Sequence, residues 1–185
     1  MRESIRRQLQ DAQENALVVS FERQQFERGQ ALGYVIDIGP TFFLLLVIEH
    51  GSRFNGFQAM RIGDVSKLDV PHRHAGFVEA ALRACSERMV RKPRVRVDSV
   101  VDLLESAGRT FPLVAIHCEA VDPEVCYIGK FLGFEQRKVR LREIDTDANW
   151  HVEDSLYRLK DITRVDFGGH YEEALHLVVR SRQVH

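Results

Sequence analysis

The side chains with most chemistry to offer occur in two copies. Arg61-Ile62-Gly63-Asp64-Val65-Ser66-Lys67-Leu68-Asp69 returns downstream as Arg158-Leu159-Lys160-Asp161-Ile162-Thr163-Arg164-Val165-Asp166. The arginine and both aspartates keep their places, and the apolar and basic positions between them are kept in kind. A guanidinium three residues before a carboxylate has two uses. Arg61 with Asp64, and Arg158 with Asp161, could line two equivalent ligand grooves. Alternatively, each Asp accepts a backbone N–H in a tight turn while each Arg lies exposed on the preceding strand. A turn of this shape needs a local acceptor, so the second use is the expectation.

Other clusters also have two uses open to them. His72-Arg73-His74 places two imidazoles on one side of an extended segment, but no third ligand follows at a recognisable spacing and zinc wants three or four. Surface histidines are expected, with no metal. His117 and Cys118 are adjacent on a predicted strand and should face opposite sides. Cys126 sits beside Tyr127 in apolar surroundings and reads as a packed thiol. Arg88, Arg91, Lys92, Arg94 and Arg96 surround Pro93. They could hold a phosphate backbone, yet no aromatic side chain is interleaved for base stacking. A solvated linker, or a salt-bridged contact with the acidic surface of the second half, is the expectation. Arg137, Lys138, Arg140 and Arg142 form a second basic run on an alternating strand, half exposed. No Gly-rich phosphate loop, nucleophile elbow or metalloprotease spacing occurs, so neither a catalytic residue nor a cofactor is assigned.

The composition agrees. The chain has 185 residues, 44% hydrophobic and 29% charged, with a formal net charge of -1. That is an ordinary globular balance, without the basic excess of a dedicated nucleic-acid binder. Three cysteines at unremarkable spacings argue against a disulfide framework and for a reducing compartment. The amino terminus lacks a signal-peptide core, and the longest apolar run, Phe42 to Ile48, suits a buried strand rather than a membrane span. A cytoplasmic protein without membrane contact is expected.

The elements that position these residues are short. Ser4 to Ala12 reads as a helix with Ile5, Leu9 and Ala12 on one stripe and Ser4 as its cap. Strands follow at Leu17–Phe21, Leu32–Ile38, Phe42–Ile48, Phe57–Ile62 and Ser66–Val70, with Gly39-Pro40-Thr41 turning a hairpin and Pro71 ending the last ladder. Ala75 to Met89 reads as a helix with Phe77, Ala80, Ala81, Ala84, Cys85 and Met89 on its apolar face. The pattern then restarts. Ser99 caps a helix that Gly108 ends. Ser99, Val100, Leu104 and Ala107 repeat Ser4, Ile5, Leu9 and Ala12. Leu113–Ile116, Ile128–Leu132, Val139–Ile144 and Leu156–Leu159 repeat the first-half strands, and Tyr171–Leu175 repeats the helix at Phe77–Ala81. A correspondence through every element indicates internal duplication. It divides the chain into a unit at 1–90, a basic linker at 91–97 and a second unit at 98–185.

Five short antiparallel strands with a tight turn before the last predict a small, strongly bent barrel. The fold expected is therefore mainly β with flanking helices (α+β): two duplicated five-stranded barrels, each preceded and followed by a helix. The element order, with Gly33 and Gly129 early in the second strand of each unit, resembles the Sm-like and Src-homology-3-type small barrels. It also resembles tandem-barrel bacterial proteins of unknown function. The Sm resemblance would imply RNA binding, but Gly39-Pro40-Thr41 and Gly133-Phe134-Glu135 stand where Sm-like RNA binders place Asp and Asn. The leading expectation is a non-enzymatic module that binds another protein, or a second copy of itself, through strand edges or terminal helices. The alternatives are RNA or single-stranded DNA bound by the linker and barrel loops, and an enzyme working at the cleft between the barrels.

Overall fold

The computed structural model describes residues 2–26, 29–50 and 52–183. Helix α1 spans Arg2–Glu14, and strands β1 to β5 span Val18–Glu22, Ala31–Ile38, Phe42–Glu49, Arg53–Arg61 and Lys67–Asp69. Helices α2 (Ala75–Ala84) and α3 (Val100–Thr110) lead into β6 to β10 at Val114–His117, Cys126–Glu135, Lys138–Glu143, Ser155–Arg158 and Arg164–Phe167. Helix α4, His170–Gln183, follows the last strand.

All strands join one open antiparallel ten-stranded sheet, in the order β5-β1-β2-β3-β4-β10-β6-β7-β8-β9. The strands were expected in two separate barrels. Instead, a ladder between β4 and β10 makes them continuous, and β5 and β9 are left at the two edges.

The repeat is visible in the backbone. The register Phe43↔Met60 and Leu44↔Ala59 returns as Val139↔Tyr157 and Arg140↔Leu156. The second strand of each half carries a bulge at the matching place, between Val35 and Asp37 and between Phe131 and Gly133. An extra residue there sharpens the local bend. Gly33 and Gly129 sit just before these bends because the neighbouring strand leaves no room for a side chain. A Cβ would meet Leu46 O at 2.2 Å in the first half and Arg142 O at 2.5 Å in the second. The turns before β5 and β10 are both single 3-10 turns, Ile62–Asp64 and Leu159–Asp161. They are entered by Arg61 at φ -69°, ψ 128° and by Arg158 at φ -68°, ψ 125°.

Several local expectations are corrected. Ser4 lies inside α1 and is not its cap. Gly108 lies inside α3, where a Cβ would strike the Phe131 side chain at 2.4 Å; it is small to allow helix–sheet packing. Helix α2 stops at Ala84 rather than Met89, and Phe77 is 73% exposed rather than part of its apolar face. Val78 and Leu82 carry that face instead. Ser99 caps α3 as expected, its Oγ accepting the Asp102 N–H.

Three apolar cores result. Ile5, Leu9 and Ala12 of α1 pack on Val19, Phe21, Phe43, Leu45 and Met60. Leu175 and Val179 of α4 cover Leu113, Ala115 and Ile128. The largest core belongs to both halves: Phe42, Leu44, Leu46 and Phe57 from the first pack with Leu104, Ile116, Val139 and Phe167 from the second. Val95 and Val97 of the linker are buried in it too. Each such apolar side chain contributes roughly 1.5–3 kcal/mol when fully buried. The face of β3 that carries Phe42, Leu44 and Leu46 is therefore apolar and buried. Its counterpart on β8, formed by Lys138, Arg140 and Arg142, is exposed.

Candidate functional site

The joint between the halves gathers the buried polar chemistry. Across it, Met60, Ala59, Gln58 and Phe57 of β4 face Arg164, Val165, Asp166 and Phe167 of β10. Phe57, Phe167 and Phe111 form an aromatic group on its apolar side, with ring centroids 4.9 to 6.2 Å apart. On the polar side Asp166 receives two hydrogen bonds from Arg164 Nε and one from Arg164 Nη2. Gln58 Nε2 donates to Asp166 Oδ2 at 3.3 Å, and His117 Nε2 lies 3.3 Å from the same oxygen. Burial would raise the Asp166 carboxyl, but the Arg164 charge and His117 outweigh it and hold it well below the usual carboxylate range.

A second polar group closes one end of the joint. Arg23, fully buried just after β1, donates from Nη1 and Nη2 to the two oxygens of Glu119, at 2.8 and 2.7 Å. Thr163 Oγ1 donates to Glu119 Oε2 at 2.6 Å. Burial pushes the Glu119 carboxyl up, while the hydrogen bonds from Arg23 and Thr163 pull it down further, so the net shift is downward. Neither Arg23 nor Glu119 stands out in the sequence. The pair is 96 residues apart, and no local pattern marks a side chain for a partner that distant.

The repeated Arg–Asp motif proves to be part of this joint. Arg61 N–H donates to Thr163 O at 3.4 Å, and its Nη2 donates to Lys160 O at 2.6 Å. Arg61 thus reaches into the second copy of its own turn. Arg158 is held at home instead, its Nε 2.6 Å from Asp161 Oδ2. Asp64 lies with Arg61, Glu3, Arg6, Pro40 and Thr41 around a hollow of about 360 Å³.

The matching hollow in the second half, about 610 Å³, is lined by Gln136, Arg137, Lys138, Arg158, Leu159 and Lys160. The ladder pair Lys138↔Arg158 brings the two basic segments together. In the sequence they belong to separate stretches, the basic run at Arg137 to Arg142 and the repeated Arg–Asp motif. Their meeting was legible only through the repeat, since the same two turns enclose the hollow beside Arg61.

The remaining expected residues are apart from the joint. His72 Nδ1 lies 2.8 Å from Ser20 Oγ, and the His74 ring stands edge-on to His72 at 5.7 Å. Among the described residues no group of three or more His, Cys, Asp or Glu side chains is placed to hold a metal. In the linker, Lys92 pairs with Asp37 at 2.7 Å, and Arg96 pairs with Asp102 at 2.5 Å and Glu105 at 3.7 Å. Arg91 and Arg94 are exposed. Cys118 is buried, which pushes its thiol up to about 11. Cys126 is exposed, which corrects its reading as a packed thiol; it begins β7, and only its neighbours on that strand turn inward. Another hollow, about 360 Å³, lies beside the joint, with Gln58, Asn55, Leu32, Val47 and Arg164 among its walls. Glu49 and His50 line it from the first half, and Arg164 from the second, where it is paired with Asp166.

No family model, curated protein or solved structure matches this chain. No helix among the described residues is long and apolar enough to cross a membrane.

Proposed function

We propose that the chain is a non-enzymatic adaptor made of two fused, strongly bent, Sm-like small barrel units, and that it binds protein partners by strand addition. The β4–β10 ladder carries this reading. It pairs the fourth strand of one unit with the fifth strand of the next, so the surface these units use to meet each other is a strand edge. The corresponding strands β9 and β5 sit at the ends of the sheet, and among the described residues one side of each is unpaired. A free edge presents a row of N–H and C=O groups that another strand satisfies. The equivalent bulges, glycines and turns support the two-unit reading.

The test is a pull-down from source-cell lysate, with and without nuclease, using the wild-type chain and a Leu156→Pro variant. Leu156 lies on β9 and is 39% exposed, and proline there disrupts edge pairing. A protein retained by the wild type, insensitive to nuclease and lost with the variant, is the expected result. Retention that depends on nucleic acid, or that survives the variant, would sink it.

A second reading is favoured by the basic hollow. Arg137, Lys138 and Lys160 converge there from two turns, beside an Arg158 that is paired with Asp161, which suits the backbone of RNA or single-stranded DNA. The linker cations suit it less, because Lys92 and Arg96 are occupied by carboxylates. Binding of mixed-sequence RNA that weakens steeply with salt would support this reading; no binding at low ionic strength would remove it.

A further inference from the structure

We infer that helix α4 is a docking surface for a second copy of this chain, and that two copies pair antiparallel about a two-fold axis beside Leu177, with Glu173 of each against Arg180 of the other. The contact is separate from the strand edges and adds to the strand-addition reading rather than resting on it.

The helix is apolar on two sides. Leu175 and Val179 pack on Leu113, Ala115 and Ile128. Away from them, Tyr171, Ala174, Leu177 and Val178 fall at i, i+3, i+6 and i+7, the spacing of one continuous stripe. All four are exposed, Tyr171 at 50%, Leu177 at 64% and Val178 at 41%. An apolar patch rimmed by charged side chains marks a contact surface. The counterpart helix in the first half lacks the pattern. Phe77 repeats Tyr171, but Arg83 stands where Leu177 does, and α2 ends at Ala84, before the position of Arg180.

The stripe borders a hollow of about 260 Å³, between Phe111 and Pro112 on one side and Glu173, His176 and Leu177 of α4 on the other. It has room for an aliphatic side chain, and charge selects what fills it. Glu173 lies four residues before Leu177 and Arg180 three after, so both flank it on one side of the helix. Among the described residues neither is engaged in an ion pair. The partner that fits presents an apolar side chain with a base one turn to one side and an acid one turn to the other. Helix α4 is itself such a partner. Run antiparallel, Leu177 of the second copy meets the hollow while its Arg180 meets Glu173. The reciprocal ion pair forms across the axis.

Because the same patch serves both copies, the contact is isologous and closes at a dimer. One pair of helices falls at the low end of the roughly 1,200–2,000 Å² that a stable complex buries, so the copies associate reversibly. Helix α4 lies over β6 and β7, not over the edge strands β5 and β9. A dimer therefore carries two copies of each edge, and a partner with two strands to add binds it with the gain of a linked pair.

Sedimentation velocity of the full chain between roughly 1 and 500 µM tests this. The weight-average mass should rise with concentration from 21.3 kDa and level at twice that value. Leu177→Asp should weaken association about tenfold or more. Glu173→Arg, and separately Arg180→Glu, sets like charges together at both ends of the contact and should weaken it as much. The double variant Glu173→Arg with Arg180→Glu reverses both ion pairs and should restore it, which a merely structural role of either residue would not do. All three side chains are exposed, and circular dichroism checks that each variant is folded. A wild-type monomer at every concentration overturns the inference, as does association that survives Leu177→Asp and both charge variants, or a charge swap that fails to restore it. Leu156→Pro separates this contact from the edges. Dimerisation unchanged by it supports the α4 pairing; dimerisation lost with it, while the α4 variants still associate, puts the contact at the strand edges and overturns the inference.

Discussion

Arg23 and Glu119 come from different halves of the chain and meet in a two-pronged ion pair, with Arg23 fully buried and Glu119 nearly so. Removing one partner leaves the other's charge uncompensated in the interior. Arg23→Ala or Glu119→Ala should each cost about 3–5 kcal/mol of stability, read from urea denaturation. The double replacement Arg23→Met with Glu119→Leu should recover most of that loss, because no charge is then buried. Equal loss in the single and double variants would mean that packing around the pair, rather than its charge balance, is what counts.

Glu119, together with Asp166 of the neighbouring polar group, sets a pH response. Glu119 and Asp166 both have carboxyls held below their ordinary values of 4.5 and 3.8. A group depressed in the folded state lends stability that is complete above its unfolded value and is lost as pH falls through its folded one. Unfolding midpoints should therefore stay level near neutrality and fall as the solution is acidified below about pH 4.5. Glu119→Gln should flatten the upper part of that decline in a thermal melt series.

Glycine tolerance should follow space rather than position in the chain. Gly33→Ala forces a Cβ to within 2.2 Å of Leu46 O, and the strand must move apart at a cost of several kcal/mol, on the order of the larger core substitutions. Gly76 in α2 has nothing within 4 Å of an added Cβ, so Gly76→Ala should raise stability by about 0.5–1 kcal/mol. Paired thermal melts of the two variants decide the point.

If the basic hollow holds a single-stranded nucleic acid, Lys160→Ala should lower affinity evenly across sequences. It should also reduce the slope of log affinity against log salt by about 0.7. Filter binding of mixed RNA at several salt concentrations measures both. Lys92→Ala should change neither, since Lys92 is already paired with Asp37. A larger effect from Lys92 would move the contact to the linker.

Much of the local structure was legible in the residues themselves. Ile5, Leu9 and Ala12 announced the buried stripe of α1, Gly39-Pro40-Thr41 the β2–β3 turn, and Ser99 with Asp102 the start of α3. These signals work because they depend on neighbours a few residues away, where spacing maps directly onto a face or a turn. The repeat was legible for the same reason, since equal local patterns give equal elements. Gly108 and Phe77 were misread where packing overrode the local signal: Gly108 is small because of Phe131, and Phe77 is exposed because Val78 and Leu82 face the core.

What the sequence by itself determined was the set of strands, their turns and their use in duplicate. Only the tertiary structure decided how the two sets meet. Backbone edges are chemically alike, so no residue pattern announces that β4 takes β10 while β9 and β5 remain open. The choice rests on what surrounds the ladder: Phe57 against Phe167, Arg23 against Glu119, and Arg61 reaching to Lys160. Each of these links residues about a hundred positions apart, and folding, not spacing, brings them together.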